Sequence, residues 1–203
     1  MTNDCLGVVL AGGLSSRMGQ DKAKLAYKNS DMLSFSKQLL IDSGLKNIAV
    51  SGDSHQVQDL VKNAGPVGGI YSIIQQYRPK AILVLPVDLP LMEAQALTQL
   101  RIKGELSNKA CFFEDHNIPL YLPNNGYLEL FLSQAFKNLM SSTGESHFVH
   151  KNKSGPSIRA LLSQVPHLSI TPEKSSLLFN TNTPEQWQQV KMMSRSDKNT
   201  FSQ

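Results

Sequence analysis

The 203-residue sequence is poor in cysteine, and its two thiols, Cys5 and Cys111, stand in separate apolar runs. Their spacing excludes a cysteine-based metal cluster, and two buried thiols in a reducing compartment are expected in place of a disulfide. No apolar run approaches the roughly 20 residues that span a bilayer. Met1 to Asp4 offers neither the basic patch nor the apolar stretch of a secretory signal. Cytoplasmic residence without a membrane partner is therefore expected. Charged residues make up only 18% of the chain and sum to +4. Lys and Arg are scattered, without a basic stripe interleaved with aromatics, so nucleic acid is not expected as a partner. The mild excess of positive charge suits a small polyanionic substrate. There is no Ser/His/Asp grouping and no carboxylate pair at a spacing diagnostic of general acid–base work. His147 and His150 stand three apart but have no third ligand nearby, so a surface or packing role is expected.

What is present lies first at the N-terminus. Val8, Val9 and Leu10 end a buried strand that empties into Ala11, Gly12 and Gly13, with Arg17 and Lys22 close behind. Adjacent glycines let the backbone turn sharply and bring N–H groups to a ligand without a side chain intervening. Arg17 offers a planar fork of donors to phosphate oxygens, and Lys22 a mobile point charge. Together they suit a polyphosphate. Two familiar phosphate loops are excluded. A Walker A loop needs Ser or Thr after its lysine, and Ala23 follows Lys22. A dinucleotide fingerprint needs glycines at its first, third and sixth positions, and Gly12-Gly13-Leu14 breaks that spacing.

Strand-like and helix-like segments alternate along the chain, which predicts a mainly parallel sheet covered by helices on both faces. Strands are expected over Leu6–Leu10, Asn47–Ser51 and Ala81–Leu85, the last wholly apolar as in a central strand. Ala110–Phe113 and Ile118–Leu122 read as a hairpin-like pair, and further strands are expected near Leu168 and Leu178. Helices are expected from Met32 towards Gly44, after Ser51 to about Asn63, over Tyr71–Tyr77, from beyond Pro90 to about Lys103, around Leu128–Leu139, and over Pro156–Leu162. Gly65 to Gly69 reads as a turn. Thr183-Pro184-Glu185-Gln186 is a capping box that opens the last helix. A single domain is expected over residues 1–190, with 191–203 as a frayed, flexible tail.

Asp88 directly follows the apolar central strand, between Pro86 and Pro90. It should emerge at the same sheet edge as the glycine loop, where open α/β sheets bind ligands. A hard Mg2+ ion takes one or two carboxylates plus phosphate oxygens, and Asp88 is the candidate ligand. The competing expectation is a helix N-cap.

As written, LAGGLSSRMGQDK (10–22) resembles the signature of nucleotidyltransferases built on a Rossmann-like sheet, and its Asp-Lys ending resembles the molybdenum cofactor guanylyltransferases. Gly65 to Gly69 looks like their Gly-Pro-Leu-Ala-Gly segment, and Asn180-Thr181-Asn182-Thr183-Pro184-Glu185 is similar to their Asn-x-Asn-Thr-Pro-Glu ending. The resemblance implies a three-layer Rossmann-like fold and transfer of GMP from GTP to Mo-molybdopterin, with release of pyrophosphate. It gives Leu10, Ala11, Gly12 and Gly13 backbone contacts to purine and phosphate, and Asn180 and Asn182 contacts to the second substrate. Arg17, Lys22 and Asp88 would carry the chemistry, with Mg2+ on Asp88. Other cofactor-biosynthesis proteins or molybdoenzyme apoproteins would be its protein partners. Two departures bear on guanine selectivity. Ser51-Gly52-Asp53 stands where the family carries an asparagine, and the segment before Gly65 is shortened, leaving Asp59 upstream of the family's aspartate. Ser51 can still hydrogen-bond a base or ribose. A relative using CTP or another phosphorylated acceptor, or a nucleotide-binding relative without turnover, remain the alternatives.

Overall fold

A computed structural model describes residues 5–12, 21–52, 55–140 and 155–199, the ends of the helices at 138–140 and 193–199 as backbone only. Chain order begins with β1 (Cys5–Leu10), the two-residue strands β2 (Ala26–Tyr27) and β3 (Ser30–Asp31), α1 (Met32–Asp42) and β4 (Ile48–Ser51). It continues with α2 (Gly65–Tyr77), β5 (Ala81–Pro86), α3 (Ala94–Ser107), β6 (Ala110–Phe113), β7 (Leu120–Pro123) and α4 (Gly126–Met140). The chain then forms α5 (Ile158–Leu162), β8 (His167–Ile170) and α6 (Pro184–Asn199). Six strands build one sheet in the order β4-β1-β5-β7-β6-β8, while β2 and β3 pair as a separate ribbon. β1 runs parallel to both β4 and β5, and β8 runs parallel to β6. β7 alone runs against its neighbours, as the hairpin with β6 requires.

Side chains alternate along each strand between two cores. Val9, Leu83, Leu85 and Cys111 face one core together with Met32 and Leu40 of α1, Leu97 and Leu100 of α3, and Trp187 of α6. Leu6, Val8, Ile82, Val84 and Leu120 face the other, with Ile70 and Ile73 of α2, Leu128 and Phe136 of α4, and Leu161 of α5. The three-layer arrangement follows from that alternation. Every residue of β1 and β5 is buried, as expected of strands covered on both faces. Among the described residues, no helix is long and apolar enough to cross a membrane.

Four local expectations are corrected. The segment after Ser51 is not a helix: Val57 N–H donates to Val50 O at 3.0 Å and Gly52 N–H donates to Val57 O at 3.0 Å, so the chain folds back along the edge of β4. It brings little apolar stripe to stabilise a helix, and Val57 is the apolar side chain driven inside among its described residues. Gly65 to Gly69 is the first turn of α2, not a turn before it, with Pro66 at the helix start where its missing N–H costs nothing. The segment around Leu178 is a 3-10 turn over Ser175–Leu178 that tucks Leu177 and Leu178 into the core. The last helix continues to Asn199, through most of the stretch read as a tail.

Candidate active site

The parallel register of β1 and β5 sets the site. Leu10 lies opposite Pro86, so the residues that follow each strand leave the sheet side by side. Val87 N–H donates to Leu10 O at 3.2 Å, and Ala11 N–H donates to Ser51 O at 2.9 Å, extending both ladders one step past the strands. Gly12 then passes against Gly52. A Cβ on Gly12 would lie 3.2 Å from Gly52 Cα, and one on Gly52 would lie 2.9 Å from Gly12 N. Only a pair of side-chain-free residues lets these two backbones cross so closely. Gly13 and Arg17 lie outside the described residues, as do His147, His150 and residues 200–203.

Lys22 opens a 3-10 turn whose first free N–H, that of Ala23, is accepted by Asp21 Oδ1 at 3.0 Å. From there the Lys22 ammonium donates to Asp88 Oδ2 at 3.1 Å and to Asn182 Oδ1 at 2.6 Å. Three segments remote in sequence thus meet at one cation. The Asn182 end is held by the capping box read from the sequence. Gln186 Oε1 accepts from Asn182 N at 2.7 Å and from Thr183 N at 3.1 Å, and Thr183 Oγ1 accepts from Gln186 N at 3.3 Å. Thr181 N–H donates to Asp88 O at 3.0 Å, pinning that loop to the end of β5. Asn180, two residues before Asn182, is exposed.

Asp88 does not cap the following helix, whose N-cap position is Glu93. Its Oδ1 is buried and has no hydrogen-bond partner among the described residues. A carboxylate oxygen withdrawn from water and left unpaired is costly, and it calls for a donor or a cation. The donor set fits Mg2+: one hard carboxylate oxygen, with coordination completed by water and phosphate oxygens. Among the described residues no group of three or more His, Cys, Asp or Glu gathers into an all-protein metal cage.

Ser51 is buried at the end of β4, and its Oγ donates to Asp59 Oδ1 at 3.3 Å. Asp59 reaches it because of the fold-back at Val57, and because Leu60 N–H donates to Ser72 Oγ at 2.9 Å, itself bonded to Gly68 O. The sequence places Asp59 too far upstream to join the site, and the structure brings its carboxylate beside Ser51. Gly69 closes the same corner, since a Cβ there would lie 2.6 Å from Ser51 Oγ. Cys5 and Cys111 stay clear of the site as buried free thiols, pushed up by burial to about 12 and about 11. A groove of about 990 Å³ between α2 and α4, lined by Tyr71, Gln75, Arg78 and Phe136, opens at the opposite edge of the sheet, where β5 begins and Asn124 follows β7.

Residues 7–164 match the family model of the MobA-like NTP transferase domain. A molybdenum cofactor guanylyltransferase of Xanthomonas euvesicatoria pv. vesicatoria is 34% identical over 190 residues, covering 91% of this chain and 93% of that protein. The crystal structure of molybdopterin-guanine dinucleotide biosynthesis protein A from Archaeoglobus fulgidus superposes with a TM-score of 0.71 at 15% identity, covering 94% of this chain and 99% of that one. Rv0371c of Mycobacterium tuberculosis, crystallised in complex with manganese, superposes with a TM-score of 0.51 at 15% identity, covering 92% of this chain and 97% of that one. The two structures share the fold, and the family model and the Xanthomonas protein carry the relationship further. The chain belongs to the molybdenum cofactor guanylyltransferase family, within the MobA-like NTP transferases.

Proposed function

We propose that the protein transfers GMP from GTP to the terminal phosphate of Mo-molybdopterin, acting in the cytoplasm. The observation that carries this reading is the meeting of Lys22, Asp88 and Asn182 beside Gly12 at one sheet edge. An oxygen of the acceptor's terminal phosphate attacks the α-phosphorus of GTP. A new P–O bond forms, the bond from the α-phosphorus to the α–β bridging oxygen breaks, and its electron pair leaves with pyrophosphate. The attacking phosphate is already ionised at neutral pH, so no general base is needed. Positioning and charge neutralisation suffice, as for other phosphoryl-type transfers.

Each residue then has a bounded task. The backbone of Leu10, Ala11, Gly12 and Gly13 lines the path of the nucleotide. Lys22 and Arg17 offset the charge that gathers on departing pyrophosphate. Asp88 Oδ1 would hold Mg2+, which when bound supplies charge neutralisation at the phosphates. Asn180 and Asn182 face the acceptor side. Ser51 and Asp59 read the base. A carboxylate only accepts hydrogen bonds, and guanine offers it two adjacent donors, at N1 and the exocyclic amine, where cytosine presents one donor beside acceptors. Asp59 therefore favours GTP over CTP despite the serine at position 51.

Pyrophosphate release from GTP, CTP and ATP, each with Mo-molybdopterin and Mg2+, tests the reading. GTP should exceed CTP in kcat/KM by about 10⁴-fold, the range open to a site that pairs a base's donors. Equal rates, or a preference for CTP, would remove the guanylyl assignment.

A further inference from the structure

We infer that Lys22 makes Asp88 selective for a metal–nucleotide complex over the free divalent ion. The inference rests on the nucleotide site proposed above. In the structure the Lys22 ammonium is the counter-charge of Asp88, 3.1 Å from Oδ2, and it is held there by a second, shorter bond of 2.6 Å to Asn182 Oδ1. Both side chains of the ion pair are only 17% exposed, so solvent and salt screen the contact less than at an open surface. A divalent ion arriving alone at Oδ1 would share one carboxylate with a fixed positive charge. The two cations would repel each other at close range.

A polyphosphate changes both sides of that balance. Its oxygens give the ammonium another partner and draw it from Asp88, and they supply the ion with the ligands that a single carboxylate lacks. Nucleotide and metal therefore raise each other's affinity, as linked binding requires. The construction of the site supports this. Asp21 fixes the root of Lys22 through the turn it caps, and Gln186 fixes Asn182 through two backbone N–H groups. The ammonium is thus held from both ends, not left to sample solvent. Its departure also releases Asn182 Oδ1 from its donor, on the loop that faces the second substrate.

The test is Mn2+ binding to the full chain, read from the electron paramagnetic resonance signal of the free ion, with and without GTP. Without nucleotide, Lys22→Met should bind Mn2+ about tenfold or more tighter than wild type, because the competing charge is gone. Lys22→Gln should behave alike, and Lys22→Arg should stay as weak as wild type. Adding Asp88→Asn to Lys22→Met should abolish the gain. On addition of GTP, wild-type affinity should rise by a larger factor than that of Lys22→Met. Failure of both neutral variants, with native far-UV circular dichroism, to bind Mn2+ more tightly than wild type overturns the inference. Persistence of the gain in the double variant overturns it as well. Neither result touches the guanylyl assignment if wild type still turns over GTP. A tightened Lys22→Met site in a protein inert towards GTP would remove that assignment and leave the role of Lys22 in place.

Discussion

At the scale of single residues, the site turns on one carboxylate whose two oxygens meet different surroundings. Asp88 Oδ2 is satisfied by Lys22, while Oδ1 is buried without a partner among the described residues. Replacing Asp88 by Asn keeps the shape but removes the charge, so turnover should fall by about 10²–10³-fold, as for loss of a main electrostatic contact. Thermal melting should change little by comparison, and a variant that melts normally yet keeps full turnover would contradict the role given to Asp88. Asp88 was legible in the sequence because it stands just beyond an apolar strand, and Lys22 because it closes the glycine-rich loop that follows a second, parallel one. Asn182 was legible through its motif, but its bond to Lys22 was not, since that contact spans 160 positions. The place of Asp59 beside Ser51 was not legible, for a physical reason. Counting residues measures contour length, and the bridge from Ser51 to Val57 shortens the path that Asp59 must travel.

At the scale of elements, local chemistry announced some boundaries and tertiary packing overrode others. α1 begins where Asp31 Oδ1 accepts from Ser34 N–H at 2.7 Å. That backbone donor, before all other causes, holds the Asp31 carboxyl below its usual value. The folded state therefore prefers the ionised form. Its stabilising share is complete above the ordinary carboxylate pKa and is lost as pH falls through the lowered folded value. Asp31→Ala should cost about 1 kcal/mol at neutral pH, the usual worth of such a cap. Urea midpoints at pH 7 and below about pH 4 check this: the gap between variant and wild type should narrow on acidification, and a gap independent of pH would refute the cap. The capping box at Thr183 was read correctly because both of its bonds are local in sequence. The first turn of α2 was not, because three glycines in its first five residues argue against helix on propensity alone. Packing demands those glycines: at Gly68 and Gly69, Ala64 and Ser51 leave no room for a Cβ.

At the scale of the whole molecule, one alternation of side chains along β1 and β5 builds both cores, and one register aligns the ends of both strands. That much was legible, because wholly apolar runs alternating with helical segments admit few other arrangements. The place of β7, antiparallel between β5 and β6, follows from the hairpin but fixes the sheet order only once the structure is seen. Two features lie at opposite ends of β5. The charged cluster of Lys22, Asp88 and Asn182 opens at the end of β5, and the groove between α2 and α4 opens at its start. A crystal structure of the full chain with GTP and Mg2+ decides between them most directly. The triphosphate should lie along Gly12 with the ion on Asp88 Oδ1, the Lys22 ammonium moved onto phosphate oxygens, and guanine beside Ser51 and Asp59. Nucleotide seated in the groove between α2 and α4, or phosphates out of reach of both Gly12 and Asp88, would contradict the account.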